Sequence, residues 1–179
     1  MSHNLTARFE EFLDQQSEHY NLSPSFLEQF RCELATDDYK FEAIAEISEI
    51  PFLRASLFWA LQQLALAEED ASDLTLAFEE SLANVLRHSY HKGEAKWLRF
   101  RLSRVENQIS IELWDRGAGG RDPKLQERFA SLVRDGRPPL QHRGGLGLYL
   151  MCRIMHELRY ESSDTVNHLL MRKVCTTKE

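Results

Sequence analysis

The sequence predicts an α/β (α+β) two-layer sandwich, with an antiparallel or mixed sheet covered by helices on one face. Three observations carry this. Apolar residues recur with period two in short runs and with helical spacing in the runs between them. The strand-like runs come in adjacent pairs, one joined by a turn at Glu106-Asn107. A long connection rich in Gly, Pro, Arg and Asp, residues 116–144, separates the last strand of that pair from an apolar helix.

The elements follow in order. Phe9, Phe12 and Leu13 recur at helical spacing, and Ser23-Pro24 places a cap and a first-turn proline ahead of Phe26, Leu27 and Phe30. Residues 5–35 therefore read as two short helices, and 1–37 as a helical extension, ended by Thr36-Asp37-Asp38. From Lys40 the period changes to two, with Phe41, Ala43, Ala45 and Ile47 on one face and Glu42 and Glu46 on the other, a half-buried strand. Pro51 opens a helix through Phe52, Leu53, Leu57, Ala60, Leu61 and Leu64. A second helix follows the acidic residues Glu68 to Asp70, carries Leu74, Ala77, Phe78, Ser81 and Val85, and ends near Tyr90. Leu98, Phe100 and Leu102, then Ile109, Ile111 and Leu113, alternate as the two arms of a hairpin. The long connection includes a short helix around 125–133. A helix from Gly147 to Met155 and strands near Leu158–Tyr160 and His168–Val174 complete the domain, 38–179.

Composition narrows the function. With 179 residues, 42% hydrophobic and 28% charged, the chain matches an ordinary soluble domain with a modest appendage. Its net charge of −6 disfavours non-specific contact with nucleic acid or an anionic membrane and favours a protein or nucleotide partner. Arg99, Arg101 and Arg104 cluster locally, and on a strand they read as a solvated sheet face. Cys32, Cys152 and Cys175 lack metal or redox spacing and read as free thiols. No secretory leader or apolar span is visible, so a cytoplasmic location is expected.

Chemistry concentrates in three places. Glu80 and Asn84, four apart, share one helix face, whereas Glu79 points away. A carboxamide oxygen there suits a hydrated hard cation such as Mg²⁺, and the carboxylate suits a base for an attacking hydroxyl. The same pair also fits an exposed polar turn. Asp115 continues the alternation of Ile109, Ile111 and Leu113 onto the apolar face, where a carboxylate needs a partner. An adenine amino group would serve, and so would a local turn that the Asp caps. Gly117, Gly119 and Gly120 let backbone lie against a flat base. Gly144, Gly145, Leu146, Gly147 and Leu148 precede or open a helix, where free N–H groups and the helix dipole favour phosphate. This run has neither the dinucleotide-binding GxGxxG spacing nor a GK[ST] sequence. Arg143 stands beside it as a phosphate-reaching cation, with Arg116, Arg121 and Arg137 as weaker lid candidates. His88 lies one turn beyond Asn84.

Taken together, Phe78-Glu79-Glu80-Ser81-Leu82-Ala83-Asn84-Val85-Leu86-Arg87-His88-Ser89-Tyr90, Trp114-Asp115-Arg116-Gly117-Ala118-Gly119 and Gly144-Gly145-Leu146-Gly147-Leu148 resemble the N, G1 and G2 boxes of the GHKL ATPases. Within that superfamily the chain is most similar, over roughly 40–174, to the serine kinases that act as anti-sigma factors. The resemblance implies a Bergerat ATP-binding fold. It implies that Asn84 ligates Mg²⁺, Asp115 recognises adenine, and Gly117, Gly119, Gly144, Gly145, Leu146, Gly147, Leu148 and His88 border ATP. Glu80 would be the base for a serine hydroxyl, and Arg143 would favour the phosphate end. The implied substrate is an anti-sigma factor antagonist of the STAS type, with a sigma factor as second partner and a homodimer as the assembly. Gly120, Gly144 and the extension 1–37 depart from the family pattern. The alternative function is a non-catalytic nucleotide-binding regulator that sequesters a partner protein.

Overall fold

The fold was obtained as a computed structural model, which describes residues 2–121, 127, 131 and 146–177. Helix α1 (Ser2–His19) and the short α2 (Pro24–Gln29) lead into strand β1 (Arg31–Ala35). Strand β2 (Asp38–Ile44) then passes through a 3₁₀ turn, Ile47–Glu49, into α3 (Ile50–Gln63) and α4 (Glu68–Asn84). A π turn, Val85–Ser89, extends α4. The hairpin β3 (Trp97–Val105) and β4 (Gln108–Asp115) ends in a 3₁₀ turn, Ala118–Arg121. Helix α5 (Leu146–Ile154) and the pair β5 (Glu157–Ser162) and β6 (Asn167–Val174) follow. Glu127 and Ser131 are helical, within the range expected for a helix in the long connection. No helix among the described residues is long and apolar enough to cross a membrane.

The six strands lie in the order β1-β2-β3-β4-β6-β5, every neighbouring pair antiparallel. The expected two-layer α+β architecture is therefore present, with the sheet antiparallel throughout. Alternation assigns the faces. Tyr39, Phe41, Leu98, Phe100, Leu102, Ile109, Ile111 and Met171 are buried under α3 and α4. Phe41 stacks on Phe100 at 4.7 Å, and Phe100 meets Phe78 of α4 at the same centroid distance.

The other sheet face is a ladder of paired charges. Arg99 Nε donates to Glu42 at 2.9 Å, Arg101 Nε to Asp38 at 2.7 Å, and Arg172 Nη1 to Glu157 at 2.9 Å. Arg99 and Arg101 are thus matched by acidic residues on neighbouring strands, whereas Arg104, in register with the buried Ile109, departs from the expected solvated face and donates through Nη1 to Leu64 O at 2.9 Å. Trp114 and His168 stack here at 4.7 Å, with His168 Nε2 3.0 Å from Glu112. Partly exposed pairs of this kind contribute about 0–1 kcal/mol each, so they keep the face wet more than they hold the fold.

One expected element changes. Residues 31–35 are not helical; they form β1, paired with β2 from Arg31↔Glu42 to Ala35↔Asp38. Arg-Cys-Glu-Leu-Ala at a sheet edge is exposed on nearly every residue, so no alternation marks it. Residue 37 is then part of the β1–β2 turn, with Asp37 in the left-handed region at φ 61°, which Asp tolerates better than most residues. The second helix ends near Tyr90 as expected, its last turn widening from Val85 into the π turn.

The extension shares the core. Ser23 accepts from Phe26 N at 3.1 Å, with Pro24 in the first turn. Phe9, 1% exposed, lies 4.9 Å from Trp59 and 5.4 Å from Phe41. Phe30 packs on Phe52 at 5.2 Å. Phe9→Ala is expected to destabilise the chain by roughly 3–5 kcal/mol, as for other buried aromatic truncations. Urea denaturation would show this, and a change near zero would make the extension an add-on.

Candidate nucleotide site

Three segments far apart in sequence meet around the C-terminal end of α4. Glu80 and Asn84 are both half-buried there, Asn84 being the last α-helical residue. The neighbouring Glu79 instead pairs with Arg54 of α3 at 3.1 Å, on the outer side of the helical layer. His88 follows in the π turn with its side chain exposed. Such turns interrupt the regular helix and often occur at functional sites.

Asp115 closes β4 on the inward face and is 3% exposed. Its Oδ1 accepts from Gly117 N at 2.8 Å and from Asn167 Nδ2 at 2.8 Å. The same Asn167 amide donates to Gly117 O at 2.8 Å, while Ser162 Oγ donates to Asn167 Oδ1 at 2.7 Å. Strand register explains the arrangement, because Asp115 pairs with Asn167 and Asn167 with Ser162 across β4, β6 and β5. Asp115 is therefore inward, as the alternation implied, and it caps the glycine turn, the second of the two partners that the sequence left open. Asn167, 0% exposed, is a site residue that sequence reasoning missed. Its signal was its place in line with Leu169 and Met171, a polar side chain on a core-facing alternation.

The glycines permit close approach. A side chain at Gly117 would collide with the carbonyl of Ser89, and one at Gly119 with the carbonyl of His88. One at Gly147 would collide with the carboxylate of Glu80. The turn after β4 and the start of α5 thus both press on the end of α4. Leu146 is exposed and Leu148 packs against the core edge. Arg143, Gly144 and Gly145, proposed from sequence for the phosphate end, lie outside the described residues.

Tyr90, just beyond the π turn, borders the same place. Its hydroxyl donates to Trp97 O and accepts from Arg116 N, the latter at 2.9 Å. The Arg116 guanidinium lies 4.2 Å from the centre of the Trp97 ring. Burial, assisted by the charges of Asp115 and Glu94 and opposed by Arg116, lifts the Tyr90 hydroxyl from its ordinary value near 10.0 up to about 12. Tyr160, half-buried and near Asp115, is raised as well, chiefly by burial.

The residues present fit a purine nucleotide with a shared cation. A buried carboxylate stands at a strand end beside backbone that glycine keeps bare. A carboxamide and a second carboxylate stand together on the adjoining helix face. Among the described residues no cluster of three or more His, Cys, Asp or Glu could hold a metal ion. A cation at Asn84 would accordingly be shared with ligand oxygens, as hydrated Mg²⁺ commonly is.

Two outcomes follow from this packing. Gly117→Ala sets a methyl against backbone and should cost about 1–3 kcal/mol or more, like other overpacking changes. Gly147→Ala meets only the end of a flexible side chain, gains about 1 kcal/mol of helix propensity, and should cost clearly less. Thermal unfolding of the two variants tests the order. Tyr90 holds its proton more tightly folded than unfolded, so its contribution is full below about pH 10 and lost as pH rises through about 12. Urea titrations across that range should show a fall that is shallower in Tyr90→Phe.

Comparison with known proteins identifies the family. The family model for the histidine kinase-like ATPase domain matches residues 45–173. The serine/threonine-protein kinase BtrW of Bordetella bronchiseptica is 31% identical over 122 residues, 65% of this chain and 81% of that protein. An anti-sigma F factor of Clostridium perfringens is 29% identical over 77% of this chain and 96% of its own length. The serine-protein kinase RsbW of Bacillus velezensis is 23% identical over 74% and 82% respectively. A chain from the SiaB–SiaC complex of Pseudomonas aeruginosa superposes with a TM-score of 0.58 at 18% identity, covering 83% of this chain and 92% of that one. The match spans the strands, helices and glycine turns that build the site, and the chain belongs to the histidine kinase-like ATPase domain family, within the GHKL anti-sigma kinase group.

Proposed function

We propose that this chain is an ATP-dependent serine-protein kinase and anti-sigma regulatory factor that phosphorylates a STAS-type antagonist in a partner-switching pathway. The observation that carries the reading is the meeting of Glu80, Gly147 and the Asp115–Gly117 turn at one end of α4. The names of the relatives, kinases and anti-sigma factors alike, support the same reading.

Each residue then has a task. Asp115, held by Asn167 and Gly117, accepts from the adenine amino group. Gly117 and Gly119 keep backbone flat beside the base, with Leu146 and Leu148 bordering the nucleotide and His88 near its phosphate end. Asn84 offers its amide oxygen to Mg²⁺, and Gly144, Gly145, Gly147 and Arg143 serve the phosphates. Bound Mg-ATP supplies the phosphoryl group to be transferred. Glu80 takes the proton from the partner's serine hydroxyl as that oxygen forms its bond to the γ-phosphorus and the bond to the ADP oxygen breaks. Positioning and charge stabilisation do most of the work in such transfers. A sigma factor is the proposed second partner, a homodimer the proposed assembly, and the cytoplasm the proposed location.

Calorimetric titration with Mg-ATP is the first test. Saturable binding is expected, about 10–100-fold weaker in Asp115→Asn, since that change disturbs a buried acceptor. Glu80→Ala should lower phosphate transfer to a STAS-type partner by roughly 10²–10⁴-fold while partner binding persists. Undiminished transfer would remove Glu80 as base. Partner binding without any transfer in the unaltered chain would favour the sequestering regulator instead.

A further inference from the structure

The turn that follows β4 is gripped from two sides by two consecutive residues. Ser89 presents its carbonyl to Gly117, closely enough that only glycine fits. Tyr90 reaches the preceding residue, its hydroxyl accepting from Arg116 N at 2.9 Å. That hydroxyl also donates to Trp97 O, at the start of β3, so it links the turn to the neighbouring strand. Arg116 continues the contact through its guanidinium, 4.2 Å above the Trp97 ring, and Trp97 Nε1 donates to Glu42 Oε1 at 3.0 Å.

Asp115 itself is fixed on its inner side by Asn167. The outer side of the turn depends on a side chain, because Arg116 is exposed and its N–H is directed to the Tyr90 hydroxyl. Without that hydroxyl the Arg116 N–H loses its acceptor, and the backbone leading to the Gly117 N–H that Asp115 accepts loses its outer restraint. The hydroxyl remains a donor at ordinary pH, since burial lifts it to about 12.

We propose that Tyr90 is a positioning residue for the nucleotide site, its hydroxyl setting the base-facing turn through the Arg116 N–H. This rests on the nucleotide reading given above. Tyr90 touches neither base nor phosphate in this role. It acts by fixing the peptide on which Asp115 and Gly117 depend, so its loss falls on base recognition and not on phosphate affinity.

The experiment compares the unaltered chain with Tyr90→Phe in calorimetric titrations with Mg-ATP and Mg-GTP, and in amide exchange followed by NMR. The variant should bind Mg-ATP about tenfold more weakly, the effect of one well-placed hydrogen bond, with Mg-GTP affinity unchanged. The Arg116 amide should exchange at least about tenfold faster while amides of the central strands keep their protection. Equal weakening toward both nucleotides, or uniform acceleration of all amides, would show a merely structural role and overturn the proposal. Unchanged Mg-ATP binding in Tyr90→Phe, with loss in Asp115→Asn, would overturn it and leave the nucleotide reading standing. No nucleotide binding by the unaltered chain would overturn both. Should the variant fail to fold, the unaltered chain still decides: an Arg116 amide exchanging as fast as an open loop would refute the latch.

Discussion

A carboxylate that is 3% exposed at the end of β4 constrains everything around it. A charge removed from water costs several kcal/mol unless hydrogen bonds replace its hydration. Asp115 receives two of them at Oδ1, from Gly117 and Asn167. Each imposes something further. The bond from Gly117 folds the chain back within two residues and presses it against Ser89, where no side chain is tolerated. The bond from Asn167 requires β6 to stand in register with β4, and Ser162 of β5 then orients that amide. Strand order, turn geometry and glycine placement are linked through one buried group.

How much of this was legible depends on how local the cause is. Asp115 could be placed inward because Ile109, Ile111 and Leu113 set the alternation one strand long. Whether it faced a ligand or capped its own turn was open, and the two are compatible because a carboxylate has two oxygens with about four acceptor sites between them. Asn167 lay on an equally readable alternation, but its importance depends on β4 and β6 being neighbours, which no local period reveals. The Tyr90 hydroxyl is harder still. It sits on a side chain that joins two backbone groups from different elements, and nothing in a period marks such a bridge. Strand β1 was misread for the opposite reason: its partner is adjacent, but exposure on both faces erases the pattern.

The first helices show how a departure from the minimal family pattern is absorbed. Phe9, Phe26 and Phe30 are buried with Phe41, Phe52 and Trp59, so the extension enlarges the core at the β1–β2 end of the sheet. The Asp115 turn, at the far end of β4, pairs with Leu98 and Asn167 instead. Added stability and nucleotide chemistry are therefore carried by different parts of one sheet. Aromatic burial of this size contributes roughly 1.5–3 kcal/mol per side chain, more than any one pair of the surface charge ladder supplies.

Helix α4 joins these parts, and it is held at both ends. In its first turns Asp70 accepts from Thr176 N at 2.8 Å and Lys173 lies between Asp70 and Asp73. In the middle Leu74, Phe78 and Leu82 are fully buried on the sheet. At its end the glycine turns of both flanking segments leave no clearance. A helix of this length spans about 25 Å, so a shift of one residue along its axis would be about 1.5 Å. Such a shift would break the Lys173 pairs at one end and change the spacing of Glu80 from Gly147 at the other. The position of Glu80 relative to the start of α5 is thereby linked to contacts seven to ten residues earlier on the helix, about 10–15 Å along its axis. Because Glu79, one residue earlier, is turned outward to Arg54, only one of the two adjacent carboxylates stands where that register delivers it to the site.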